Sequence, residues 1–194
     1  GRAKVYLKDY NNAIDDFTKA IEIDSTTYYN KGNTEAFYYY RGLAKGAGRE
    51  DRLTQHTDAY QDFTKAIELN PKNGSTYLLR GLLNVDYLDD FTKAIELDRN
   101  NAHIAYYYRG LVKSKHKDYS GAFEDYTIAI ELKPNAVAYC SRGLIKHKFE
   151  DYIGALKDIT KAIELDPNNT HIAYYLRGVV KLDIQEYSGA IEDF

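Results

Sequence analysis

Two series of opposite charge run through the sequence at regular spacing. Arginine comes directly before glycine at Arg41, Arg80, Arg109, Arg142 and Arg177. Aspartate comes directly before an aromatic residue or an isoleucine at Asp16, Asp62, Asp90, Asp125, Asp158 and Asp193. Because a guanidinium can bind a carboxylate through two parallel hydrogen bonds, the two series predict a ladder of Arg–Asp pairs. The alternative is a row of exposed arginines that binds phosphate or carboxylate ligands.

The remaining residues that could do chemistry do not form a catalytic or metal-binding pattern. The histidines lack metal-ligand spacing, and His103 and His171 merely occupy the same position 68 residues apart. Cys140 has no base near it in the sequence, and Gly46-Ala47-Gly48 does not follow a strand as a phosphate-binding loop would. We therefore expect a non-catalytic protein without a cofactor or a metal.

The composition excludes several classes of protein. A net charge of −3 over 194 residues argues against a nucleic-acid-binding protein. No apolar stretch approaches the roughly 18 residues that a membrane span needs. One cysteine excludes an internal disulfide framework and favours a reducing compartment such as the cytoplasm, whereas glycosylation sequons at Asn73 and Asn168 point the other way. The localisation therefore stays open.

The charged residues belong to two alternating motifs, and each motif predicts a helix. The first is rich in tyrosine and ends in Arg-Gly, as in Ala105–Gly110, and the second reads close to DFTKAIEL. In the second motif Ala122, Tyr126 and Ala129 lie at i, i+4 and i+7, which is one face of a helix. A proline, which helices continue through with difficulty, closes three of the second motifs. The repeating unit is therefore helix, turn, helix, about 34 residues long.

This unit resembles the tetratricopeptide repeat family. In the fourth unit the matching residues are Tyr106, Gly110, Ala122, Tyr126, Ala129 and Pro134. The resemblance implies an all-α, right-handed superhelical solenoid of antiparallel helix hairpins, with about five to six repeats. One hairpin cannot bury its apolar face alone, so stability is expected to come from stacking on neighbouring hairpins.

The repeats predict a single array over residues 1–194. Its expected units are 1–25, 35–71, 74–99, 102–134, 136–167 and 170–194, with a linker at 26–34 and an inserted loop at 46–56. The third unit is short, since Gly81 and Phe91 are 10 residues apart where Gly110 and Tyr126 are 16 apart. The array is incomplete at both ends and has no methionine, so we expect it to continue on both sides or to be covered by a partner.

The first helix of each unit is expected to supply both packing and binding residues. Tyr38, Tyr77, Tyr106, Tyr139 and Tyr174 are expected in the core. The other expected packing residues are Gly42, Gly81, Gly110, Ala122, Tyr126, Ala129, Gly143, Ala155, Gly178 and Ala190. The position after each of these tyrosines faces the concave groove in the family that the sequence resembles. Tyr39, Tyr107 and Tyr175 are therefore expected either as binding anchors on alternate units or as packing against the neighbouring unit.

The predicted groove is apolar with a positive rim. The residue after each Arg-Gly pair is apolar, including Leu43, Leu111 and Leu144, which argues against the carboxylate clamp of some family members. Lys115 and Lys148 lie in basic clusters that either interact with helix dipoles or favour an acidic partner. The sequence therefore predicts a scaffold that binds a protein or peptide. The alternative is a structural protein that self-associates through uncapped ends into a rod or filament.

Overall fold

A computed structural model describes residues 1–26, 33–47, 52–83, 88–168 and 170–194, and every regular element in those ranges is an α-helix. The helices are α1 (Arg2–Tyr6), α2 (Tyr10–Thr26), α3 (Thr34–Ala47), α4 (Arg52–Leu69), α5 (Gly74–Leu83), α6 (Leu88–Leu97), α7 (Ala102–Lys115), α8 (Tyr119–Leu132), α9 (Ala136–Lys148), α10 (Tyr152–Leu165), α11 (His171–Asp183) and α12 (Tyr187–Asp193). They follow one another in pairs, which confirms the predicted all-α hairpin repeat. None of the described helices is long and apolar enough to cross a membrane.

The helix boundaries correct one prediction and support another. The loop expected at 46–56 is mostly helical, because α3 continues to Ala47 and α4 already begins at Arg52. The stretch that starts α4 contains neither glycine nor proline, so nothing in it stops a helix. Residues 48–51 and most of the expected linker lie outside the described residues. The third hairpin is short, since α5 and α6 have 10 residues each where α7 and α8 have 14.

The chain forms two compact units, residues 1–99 and 100–194. Within each unit a helix pair packs together, and the second helix of a pair also contacts the first helix of the next. In the second unit, for example, α8 contacts both α7 and α9, and α10 contacts both α9 and α11. The hydrophobic core is therefore shared between successive hairpins, as the resemblance to a stacked repeat predicts.

A ring or branched side chain of the second helix packs directly onto a glycine of the first. A Cβ atom added to Gly110 would lie 2.7 Å from Cε1 of Tyr126, which is too close for any real contact. The same arrangement recurs at Gly42 with Phe63, Gly81 with Phe91, Gly143 with Ile159 and Gly178 with Phe194. The glycines are required because only a residue without a side chain lets the helices approach this closely.

The buried side chains connect neighbouring hairpins. In the second unit Ala122 and Tyr126 of α8 cluster with Ile145 of α9. Farther along, Ala155 and Ile159 of α10 cluster with Val180 of α11. All the other predicted packing glycines and alanines in the list above are also buried.

The turns inside the first two hairpins of the second unit are tight and capped. Lys117 and Glu150 have φ values of 64° and 60°, in the left-handed region that reverses the chain. The next residue caps the second helix, since Asp118 accepts a hydrogen bond from the Gly121 N–H and Asp151 from the Gly154 N–H, each at 2.9 Å. These turns fix where the first helices end, and so where the exposed lysines near them lie.

Candidate functional site

The Arg–Asp ladder predicted from the sequence is present. Arg109 Nε donates to Asp125 Oδ2 at 2.9 Å, and its Nη2 donates to Oδ1 at 2.7 Å. The same two-bond geometry joins Arg41 to Asp62, Arg80 to Asp90, Arg142 to Asp158 and Arg177 to Asp193. These five aspartates are buried. The alternative of an exposed arginine row that binds anions is therefore wrong, because a carboxylate already occupies each guanidinium.

A lysine one helical turn after the arginine adds a second cation to four of the pairs. Lys45, Lys113, Lys146 and Lys181 each lie 2.9 Å from the same aspartate that the arginine binds. Burial acts to raise the pKa of Asp158, but hydrogen bonds from Arg142 and Lys146 outweigh it and the pKa is lowered. Lys113 and Lys146, which lie two residues before Lys115 and Lys148 in the basic clusters, are thus part of the ladder rather than of an open rim.

The ladder also joins one hairpin to the next. Arg142 of α9 donates from Nη1 to Thr127 Oγ1 of α8 at 3.4 Å, and Arg41 of α3 donates in the same way to Thr18 of α2 at 3.2 Å. Equivalent bonds run from Arg80 to Thr64 and from Arg177 to Thr160. A ladder arginine therefore binds its own hairpin through the aspartate and the preceding hairpin through the threonine.

The tyrosines expected in the core have a different position. Tyr38, Tyr77, Tyr106, Tyr139 and Tyr174 lie across the ladder arginines, with each guanidinium carbon between 5.1 and 5.7 Å from the ring centroid. Four of them are half-buried, and Tyr174 is exposed. The prediction that they fill the core is wrong, because glycine and the second-helix ring already fill the space between the helices. They cover the charged ladder instead.

The three tyrosines proposed as binding anchors are not equivalent. Tyr107 is half-buried, and its ring centroid is 5.9 Å from that of Tyr126. Tyr39 is also half-buried and lies 6.3 Å from the ring of Phe63. Tyr175 remains 59% exposed. All three rings thus contact an aromatic ring from the second half of their own hairpin, since Tyr175 lies 5.8 Å from the ring of Phe194, and Tyr175 differs in its greater exposure.

The second unit carries exposed apolar side chains on its first helices that the sequence analysis missed. Of the leucines predicted for the groove, Leu144 is 38% exposed, while Leu43 and Leu111 are half-buried. The missed residues are Val137 on α9 and Ile172 and Leu182 on α11, which are 58%, 59% and 42% exposed. Their spacing was a usable signal, since Val137 and Leu144 are seven residues apart and therefore share a helix face.

Charged side chains lie near the carboxyl-terminal ends of α7, α9 and α11. Lys115 and Lys148 are exposed, and Lys148 Nζ lies 5.0 Å from the centroid of the Tyr119 ring. His147 Nε2 lies 2.6 Å from Asp183 Oδ2 and so connects α9 to α11. The carboxyl-terminal ends of these first helices therefore carry charged side chains, whereas the exposed residues Val137, Leu144 and Ile172 are apolar.

Comparison with known proteins agrees with this geometry. The profile of the tetratricopeptide repeat family matches residues 1–27 and 136–169. The fold is that of a tetratricopeptide repeat protein. No curated protein sequence matches the chain significantly.

Solved structures show the same repeat fold at low sequence identity. A tetratricopeptide repeat protein from Parabacteroides merdae is 18% identical with a TM-score of 0.76, and the match covers 99% of this chain and 73% of that one. MamA from Desulfovibrio magneticus is 20% identical with a TM-score of 0.72, covering 85% and 93%. YrrB, described as a tetratricopeptide repeat protein with an unusual peptide-binding site, is 23% identical with a TM-score of 0.67, covering 91% and 88%.

Proposed function

We propose that this protein is a non-catalytic scaffold that binds a peptide or partner segment on the first helices of its second unit. The observation that carries the proposal is the set of exposed apolar side chains on α9 and α11, which are Val137, Leu144, Ile172, Tyr175 and Leu182. Exposed apolar side chains grouped on two successive first helices are typical of a surface that binds a partner. The tetratricopeptide repeat fold supports a protein-binding role, and the peptide-binding site described for YrrB is consistent with it.

The half-buried members of the predicted site have a supporting role in this proposal. Tyr107 and Leu111 pack against the cluster formed by Ala122, Tyr126 and Ile145, so they form the floor beside the exposed residues. Tyr39 and Leu43 occupy the equivalent floor positions in the first unit and are likewise half-buried. Leu144 and Tyr175 are expected to contribute binding energy together with the exposed residues beside them, because covering an exposed apolar side chain removes apolar surface from water.

The exposed lysines give the proposed surface a preference for acidic partners. Lys115 and Lys148 end the first helices of two successive hairpins and remain exposed to solvent. Positive charge at the rim of an apolar surface increases the association rate of an acidic segment and disfavours basic ones. Binding is therefore expected to weaken as the salt concentration rises.

An affinity capture with matched variants tests the proposal. Leu144→Ala combined with Tyr175→Ala is expected to lose the proteins that the unmodified chain captures, and the binding constant of an isolated partner is expected to fall at least about tenfold. Ile153→Ala is the control, because Ile153 is 84% exposed on α10, outside the first helices. Equal capture by the double variant and the control would contradict the proposed surface.

Self-association is the second candidate function. It is favoured by α12, whose Tyr187 and Ile191 are 59% and 75% exposed. Light scattering over a range of concentrations separates the two candidates. A self-associating rod grows in mass with concentration, whereas a scaffold keeps a constant mass until its partner is added.

A further inference from the structure

An open cavity of about 720 Å³ lies between the two helices of the hairpin formed by α9 and α10. Tyr139 and Arg142 of α9 form one wall, and side chains of α10 between Leu156 and Glu164 form the other. The volume is in the range of roughly 300–1,000 Å³ that is usual for small-molecule sites. The proposed function does not use this cavity, so it is a separate candidate site.

The cavity lies on the opposite side of α9 from the proposed binding surface. Because a helix turns by about 100° per residue, Leu144 is only about 20° round α9 from Val137 and shares its face. By the same turn Tyr139 is about 160° and Arg142 about 140° round α9 from Val137, and both line the cavity. A ligand in the cavity therefore leaves Val137 and Leu144 uncovered.

The arginine in the cavity wall is already occupied. Arg142 donates two hydrogen bonds to Asp158, and the Tyr139 ring centroid lies 5.4 Å from its guanidinium carbon. Lys146 adds a second cation to the same aspartate, while Glu131 of α8 acts on Arg142 electrostatically. Two carboxylates thus balance these two cations, and an anionic ligand has to bind at other groups in the cavity.

The α10 wall carries a lysine at a position where the other repeats are acidic or neutral. Lys157 directly precedes the ladder residue Asp158, is exposed and lines the cavity. The equivalent residues of the other repeats are Asp15, Gln61, Asp89, Glu124 and Glu192. Among the described residues, no ion pair involves Lys157. Its charge is therefore available to a ligand.

A second lysine lines the same wall one turn farther along α10. Lys161 is four residues after Lys157, so the two side chains are neighbours on the helix surface. Lys161 Nζ lies 2.9 Å from Glu164 Oε2 in an exposed pair, and such pairs contribute so little that a ligand can compete for the lysine. No other repeat has lysine at both positions, so the repeat fold does not require this pair.

The rest of the lining suits an apolar or aromatic group. The Tyr139 ring is half-buried, and Leu156 packs against the buried cluster that contains Ala155 and Ile159. These two side chains therefore offer apolar surface that is held in place by its surroundings. A ligand with an anionic end and an apolar end can cover Tyr139 and Leu156 and keep its charge at the exposed lysines.

We propose that this cavity binds a small organic phosphate. The phosphate group interacts with Lys157 and Lys161, and the attached ring or aliphatic group packs against Tyr139 and Leu156. Phosphate fits better than carboxylate, because a charge of roughly −1.5 to −2 and three acceptor oxygens can engage two ammonium groups at once. Lysine binds phosphate as a point charge, so the site does not need the planar fork of an arginine.

A chemical-shift titration of the isotopically labelled full chain with phenyl phosphate tests the proposal. Phenyl phosphate is expected to shift the amide signals of residues 156–164 and to bind at least about tenfold more tightly than phenol, which lacks the phosphate. Inorganic phosphate is expected to bind more weakly than phenyl phosphate, because it has no group to cover Tyr139 and Leu156.

A charge reversal with a matched control tests the role of the lysine. Lys157→Glu restores the negative charge that most other repeats carry at this position, and it is expected to weaken phenyl phosphate binding at least about tenfold. Lys19→Glu makes the same change at an exposed lysine of α2 in the first unit and is expected to leave the affinity unchanged. Circular dichroism confirms that both variants are folded.

Several outcomes would overturn the proposal. Phenol binding as tightly as phenyl phosphate, or an unchanged affinity in Lys157→Glu, would show that the lysine charge is not recognised. Equal affinity for inorganic phosphate and phenyl phosphate would contradict the packing against Tyr139 and Leu156. If only a phosphotyrosine peptide binds and free phenyl phosphate does not, the site belongs to a protein partner instead of a small molecule. None of these results affects the surface on α9 and α11, which Leu144→Ala with Tyr175→Ala tests.

Discussion

At the scale of single residues, the glycines set how closely the helices of a hairpin approach. A side chain at Gly110 would meet the ring of Tyr126, which is 1% exposed and cannot move into solvent. We expect Gly110→Val to lower the free energy of unfolding by about 1–3 kcal/mol or more through overpacking. Urea denaturation followed by circular dichroism measures the change.

Gly46 provides the control for this prediction. A Cβ atom there would have its nearest neighbour, Leu83, at 3.8 Å, an ordinary contact. Gly46→Ala is therefore expected to be neutral or to stabilise the helix slightly, since alanine is the better helix former. A similar loss of stability in both variants would show that the contact with Tyr126 is not the cause.

Among the ladder residues, the buried carboxylates are expected to contribute most to the free energy of unfolding. Asp125 is 2% exposed and balances both Arg109 and Lys113. Asp125→Asn removes the negative charge and leaves two partly buried cations facing each other, so we expect a loss of about 3–5 kcal/mol. Chemical denaturation measures it. Glu68→Gln, which affects only the exposed pair with Lys65, is expected to leave stability unchanged.

At the scale of elements, the hairpins α7–α8 and α9–α10 depend on the side-chain cap that begins their second helix. Asp151 accepts a hydrogen bond from the Gly154 N–H at 2.9 Å and so starts α10 directly after the turn. Asp151→Ala is expected to cost about 0.5–2 kcal/mol, while Asp151→Ser is expected to recover most of it because serine also caps. Thermal unfolding of the three proteins tests this, and a serine variant as unstable as the alanine variant would contradict a capping role.

The elements also differ in how directly local sequence determines them. The i, i+4, i+7 spacing of residues such as Ala122, Tyr126 and Ala129 predicts the helices of the repeat, because residues at this spacing lie on one face of a helix. The polar composition of residues 46–56 predicts a loop, but α4 begins at Arg52, and its first turns contain Arg52, Leu53 and Gln55, which form helices well. Composition alone does not distinguish an exposed helix turn from a loop.

At the scale of the whole molecule, the ladder makes stability depend on pH. The pKa of Asp193 is lowered by hydrogen bonds from Arg177 and Lys181, and the pKa of Asp158 is lowered in the same sense. A carboxylate whose pKa is depressed by folding stabilises the protein above its unfolded-state pKa and loses that contribution as the pH falls through the folded-state value. We therefore expect stability to be constant near neutral pH and to fall steadily below about pH 4.

Urea midpoints measured from neutral pH to about pH 2 test this dependence. Replacing Asp158 with asparagine is expected to lower the stability at neutral pH and to flatten the decline in acid, because one of the titrating groups is gone. A decline that is equally steep in the variant would assign the acid sensitivity to other carboxylates.

The sequence by itself determined the hairpin repeat and the pairing of Arg with Asp. Both follow from spacing, since the helical period puts the motif residues on one face and every ladder arginine has a matching aspartate. The tertiary structure alone decided which tyrosines are buried, because three adjacent tyrosines point in directions separated by about 100° and only the neighbouring helices select among them. It likewise showed that Lys113 and Lys146 belong to the ladder, and that Val137, Ile172 and Leu182 on α9 and α11 are exposed. Exposure depends on what packs against a side chain, which is a property of contacts distant in sequence.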